Sequence, residues 1–129
     1  MQESPIFTRL HDLLLWLLQA TRKFPREHRF GLAQRLEDQA FDLQRTLVAA
    51  AIDTQHSTQH LADADIALTT LRKTLLLCRE LDLLQAGQYR HVSEMAAEVG
   101  RLLGGWRRPQ KEILTQPKNR VSDTGEGPG

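Results

Sequence analysis

Along most of this chain the apolar residues recur every three or four positions, the period of one helix face rather than of a strand. Ile6, Leu10, Leu13 and Leu17 draw the first stripe, widened by Phe7, Leu14 and Leu18. This predicts a helix from about Ser4 to Arg22, with Ser4 as N-cap and Pro5 at the first position, where a missing N–H costs nothing. Pro25 breaks that helix, since its ring fits no helix interior. Ala33, Leu36, Ala40, Leu43, Leu47 and Ala50 follow at spacings of 3, 4, 3, 4 and 3, with Phe41 and Val48 as a flanking line. Leu61, Ala64, Leu68, Leu71, Leu75 and Cys78 repeat the same spacing. Both series are a/d heptads. The polar run DTQHSTQH at 53–60 separates them and reads as their connection. The third helix is expected to stop near LLQAGQY, with Gly87 as the residue that leaves it. A fourth stripe uses Val92, Met95, Val99, Leu102 and Trp106, with Tyr89 and Leu103 alongside.

No strand pattern and no internal repeat interrupt this series. Four helices with short connections predict an all-α fold, an up-down antiparallel four-helix bundle. The bundle is expected to be one domain over residues 1–108. Residues 109–129 are expected to form a flexible, disordered basic and polar tail, because PKNRVSDTGEGPG cannot bury enough apolar surface to order itself. Leu76, Leu77, Leu81, Leu83 and Leu84 exceed what one seam needs. Surplus leucine at that density points to burial against another subunit.

Composition narrows the picture. The chain has 129 residues, only 5% of them aromatic, and a single cysteine. A core must come from Leu and Ala, which suits helix packing, and one Cys forms no internal disulfide. The longest apolar runs, Leu13 to Leu18 and Leu47 to Ile52, are six residues each, far short of the ~18 that a membrane span needs. No charged n-region, apolar h-region and cleavage site appear in order at the N-terminus, so no membrane association and a cytoplasmic location are expected.

The net charge of +1 becomes informative when divided by region. Arg22, Lys23, Arg26, Arg29 and Arg35 stand against Glu27 alone, net +4 over residues 22–35. Residues 36–98 carry five cations against ten acids, and residues 101–120 carry six cations against one. Such gathering of positive charge is the footprint of a polyanion-binding surface. A pair of solvated, basic helix ends is the plainer alternative.

Candidate chemistry is sparse. There is no Gly-rich phosphate loop, nucleophile elbow or paired Cys, so the chain reads as no enzyme and as needing no cofactor. Cys78 falls on an apolar stripe and reads as a packed, inert thiol. Asp53, His56 and His60, with Asp63, would share a face if helical, but a polar loop is the better reading and no metal site is expected. Asp65, inside LADADIAL, either favours the local helix dipole or pairs with an arginine of a neighbouring helix. Arg72 and Arg79 lie two turns apart on one face, with Lys73 beside them. Together with Arg22, Lys23, Arg26 and Arg29 they are candidates for one electropositive, salt-sensitive surface. Scarce aromatics argue against specific single-strand readout. In EVGRLLGGWRRP, Gly100 and Gly104 fall on one face and allow a neighbouring backbone close. Gly105 is then the expected exit from the helix, Trp106 an apolar plug over the bundle end, and Arg101, Arg107 and Arg108 partners for the negative terminus or a phosphate.

Three segments in order, KFPREHRFGLAQRLEDQAFDL, LADADIALTTLRKTLLL and QYRHVSEMAAEVGRLLGGW, resemble one known family. These are the accessory variability determinant proteins of diversity-generating retroelements, four-helix bundles related to the proteins of 23S rRNA intervening sequences. The resemblance covers about residues 5 to 107. It implies a homopentamer, a barrel of five bundles with a basic surface. It implies as partners the retroelement reverse transcriptase, its template RNA and the cDNA. The implied role is that of a noncatalytic subunit supporting error-prone cDNA synthesis at template adenines, which diversifies a target gene. Arg72 corresponds to a family arginine of helix 3 associated with partner or nucleic-acid binding. The second arginine expected four residues later is Leu76 here, and Arg79 lies one turn further on. The alternative is a structural or adaptor bundle of the intervening-sequence type, with no reverse-transcriptase partner.

Overall fold

The structure, a computed structural model, describes residues 4–115, with side chains described through residue 108. Four helices make it up: α1 Pro5–Thr21, α2 Gln34–Ile52, α3 Ser57–Glu80 and α4 Ala86–Thr115. No strand occurs among the described residues. Consecutive helices pack as antiparallel neighbours, most extensively α2 on α3, and α4 closes the ring against α1. This is the expected up-down four-helix bundle. It leaves α1 and α3 on one diagonal, and puts the α1–α2 and α3–α4 connections at the same end.

The seams foreseen from the heptads form the core. Every one of the twelve a/d positions of α2 and α3, from Ala33 to Cys78, is buried, together with Ile6, Leu10, Leu13, Leu14 and Leu17 of α1. On α4 the buried line is Val92, Ala96, Val99 and Leu103, while Met95, Leu102 and Trp106 flank it half-buried. The seam is thus rotated from the expected one. A small residue, Ala96, sits where the bundle is tight, and a Cβ added at the neighbouring Gly100 would lie 3.4 Å from Leu68 Cδ2. The backbone approach expected at Gly100 is not seen: a Cβ there would meet a Leu68 side-chain methyl at ordinary contact distance, and Gly104 faces open space.

Three helix ends differ from expectation. Gly87 is not the exit of α3 but the second residue of α4. Asp82 leaves α3 instead, at φ 61°. Its N–H bonds to the Arg79 carbonyl at 3.1 Å and that of Leu83 to the Cys78 carbonyl at 2.9 Å, the paired bonds of a helix ended by a left-handed residue. Gln88 starts α4 by accepting the Gln85 backbone N–H at 2.8 Å with its side chain, the reciprocal half of a capping box. The polar run 53–60 is mostly helical: only Asp53 to His56 connect, and α3 begins at Ser57. Finally, α4 does not leave helical geometry at Gly105 but runs on through Pro109 to Thr115. Helical glycines cost only about 1 kcal/mol each relative to Ala, which the packing of Trp106 and Leu103 outweighs. Of the tail expected over residues 109–129, residues 109–115 are helical and 116–129 lie outside the described residues.

Candidate nucleic-acid interface

The α1–α2 connection is built to hold its backbone firmly while leaving its cations free. Phe24, only 3% exposed, plugs the bundle end just after α1. Pro25 starts a 3₁₀ turn, Arg26–His28, which passes into a π-helical turn, Arg29–Ala33. There the Gln34 N–H reaches back to the Arg29 carbonyl, one residue further than in an α-helix. Thr21 donates to Glu37 Oε2 at 2.7 Å, tying the end of α1 to the first turns of α2. On this scaffold Arg22, Lys23, Arg26, Arg29 and Arg35 are all exposed. None of their side chains makes a hydrogen bond or ion pair with any described residue. The one acid of the turn, Glu27, lies 4.0 Å from His28.

The basic residues of α4 are arranged differently. Arg101 grips Glu98 with two nitrogens, at 2.9 and 2.7 Å. That hydrogen bonding holds the Glu98 carboxyl below its usual range and raises the arginine. Arg107, 23% exposed, reaches across to Asp65 of α3 at 3.1 Å. The cross-helix pairing foreseen for Asp65 is thus present, and it engages one of the expected nucleic-acid contacts. Arg108 is exposed. Trp106 packs edge-on against Phe7 with ring centres 6.3 Å apart, covering the start of α1 as expected.

On α3 the three candidates separate. Arg72 and Lys73 are exposed and engage no described side chain. Arg79 instead straps the α3–α4 turn, donating to the Leu84 carbonyl at 3.2 Å and approaching Asp82 at 3.4 Å. Arg22, Lys23, Arg26 and Arg29 lie in the α1–α2 connection, at the end of the bundle where α3 finishes, and Arg72, Lys73 and Arg79 lie on the C-terminal half of α3.

The remaining candidates are structural. Asp53 accepts from His56 Nδ1 and His60 Nε2, each at 3.0 Å, and closes the α2–α3 turn. The hydrogen bond from His60, then that from His56, holds its carboxyl below the usual carboxylate range. No group of three or more His, Cys, Asp or Glu among the described residues is placed to hold a metal ion. Cys78 is fully buried, and burial pushes its thiol up to about 11, which keeps it protonated and unreactive at neutral pH. No described helix is long and apolar enough to cross a membrane.

A family model described as bAvd-like matches residues 6–110. The chain belongs to the bAvd-like family. The likeness to accessory variability determinant proteins seen in its three segments therefore holds across almost the whole bundle, and it makes the chain an accessory protein of that type. No curated protein matches the chain. For a bAvd-like bundle the matched region contains both basic groups, the free one before α2 and the paired one on α4.

One feature of the interface escaped sequence reasoning. Phe30 is 92% exposed in the middle of the free arginines. Its neighbours Arg29 and Gly31 were the available signal, since no apolar seam runs through an Arg-Phe-Gly triplet.

Proposed function

We propose that this bAvd-like protein is the noncatalytic accessory subunit of a diversity-generating retroelement, acting in the cytoplasm. In this role it binds the element's reverse transcriptase together with template RNA and cDNA and supports mutagenic cDNA synthesis. The observation that carries the reading is the family match over residues 6–110. The unpaired cations of the α1–α2 connection supply the means: guanidinium groups free of partner acids attract phosphates without sequence preference.

A homopentamer is part of the same proposal. Phe41, Val48 and Ile52 fall on one outward stripe of α2, and Leu76 and Leu77 face outward on α3, all of them exposed. Single exposed apolar residues are ordinary, but a stripe of them is a contact surface waiting for a partner. Coexpression with a diversity-generating retroelement reverse transcriptase tests both parts. Co-elution of the two proteins, with a mass of five bundles for the free accessory protein by light scattering, is the expected result. A monomer that neither co-elutes with the polymerase nor retains RNA would leave the adaptor-bundle alternative standing.

A further inference from the structure

We propose that Phe30 is a stacking platform for an unpaired base of the bound nucleic acid, with Arg22 and Arg29 holding the phosphates that flank it. The inference rests on the nucleic-acid reading above and adds to it a single-strand subsite. Phe30 stands on the π-helical turn, 92% exposed, at the ridge between two open grooves. One groove, of about 390 Å³, is lined by Arg22, Arg29 and Glu37, and the other, of about 370 Å³, by Arg35 and Asp38. The acid on the arginine-rich side is already engaged, since Glu37 accepts from Thr21 at 2.7 Å. That acid makes no ion pair with either arginine, so one negative charge stands against two positive ones on that side.

The burial pattern shows that this exposure is no failure of core packing. Phe24, six residues earlier, fills the bundle end, so the core at this level is complete without a second ring. An aromatic face open to water costs solvation and calls for a flat apolar occupant, while cations on its flank call for an anionic one. A nucleotide is both at once, and aromatic rings within basic grooves are how single strands are held without sequence readout. A purely apolar partner surface would satisfy the ring but leave the arginines desolvated and unpaired, which is costly. Sparse aromatics argue against specific single-strand readout, and stacking on one ring asks for none.

The test uses the full-length protein and fluorescein-labelled single-stranded RNA, alongside the same oligonucleotide with abasic residues. Phe30→Ala should keep the thermal stability and the salt dependence of binding but weaken affinity for the intact strand by roughly 5- to 150-fold. The abasic strand should bind the wild type and Phe30→Ala alike, because the ring then has nothing to stack on. Phe30→Trp should restore affinity, and its added fluorescence over the two native tryptophans should be quenched by the intact strand only. Unchanged affinity of Phe30→Ala for the intact strand overturns the proposal. If that variant also loses its oligomeric state, the ring belongs to a protein contact instead. Wild-type protein that binds neither strand overturns the nucleic-acid reading itself, a result distinct from selective indifference to Phe30.

Discussion

Residues 22–35 and 101–120 carry nearly the same net charge, +4 and +5, yet among the described residues the cations of 22–35 and those of 101–108 lie at opposite ends of the bundle, and only Arg101 and Arg107 are paired with acids. Four cations project from the connection before α2 and Arg35 from the first turn of α2, and the only acid contact inside the connection is between Glu27 and His28. On α4, Arg101 and Arg107 are matched by Glu98 and Asp65. Charge counted along a sequence does not distinguish these cases, because the neutralising acids come from one helical turn away or from another helix. A guanidinium with a carboxylate partner must give it up to hold a phosphate, whereas a solvated one need not. On the proposed function, the difference favours the α1–α2 end as the nucleic-acid face, while Arg101 and Arg107 of α4 are held by their own acids.

The comparison can be broken at several strengths. The largest effect falls within the α1–α2 connection itself, where two phenylalanines have opposite roles. Phe24→Ala should destabilise the fold by about 3–5 kcal/mol through loss of a buried ring. Phe30→Ala should fall within about 0.5 kcal/mol of wild type, as surface substitutions do. Denaturant unfolding of both variants checks this, and equal losses would mean that Phe30 is a core residue. A smaller effect is expected on α4. Arg107→Ala and Asp65→Ala should each cost about 0.5–1 kcal/mol, with the double variant costing little more than either, since a half-exposed pair is worth no more than that. Fully additive losses would show that the two residues do not act together.

Much of this was legible in the sequence. The heptads of α2 and α3 named all the buried apolar residues from Ala33 to Cys78 except Ala67, because Leu and Ala at spacings of three and four leave one face to bury. The α4 seam was read one position off: Met95 and Leu102 look more apolar than Ala96, yet the buried line runs through Val92, Ala96, Val99 and Leu103. Helix ends were harder. Asp82, not Gly87, takes the left-handed conformation, and nothing about an Asp in LDLL advertises that. The Gly-Gly pair at 104–105 suggested an exit, yet a helix packed on one side tolerates glycine on the other. For the site, sequence located the basic residues but not their partners. The bonds of Arg79 to Leu84, Arg101 to Glu98 and Arg107 to Asp65 depend on which turn or helix each acid or carbonyl sits on. The exposure of Phe30 depends on Phe24 having already filled the bundle end.

The most direct measurement is the dependence of RNA affinity on salt in two variants, Arg22→Ala/Arg26→Ala/Arg29→Ala and Arg101→Ala/Arg107→Ala. Each lost phosphate contact on a single strand flattens the plot of log affinity against log salt by about 0.7. The triple variant should therefore lose roughly 2 from the slope, while the double variant keeps the wild-type slope. An unchanged slope in the triple variant, or a larger loss in the double, would contradict the assignment of the α1–α2 end as the nucleic-acid face.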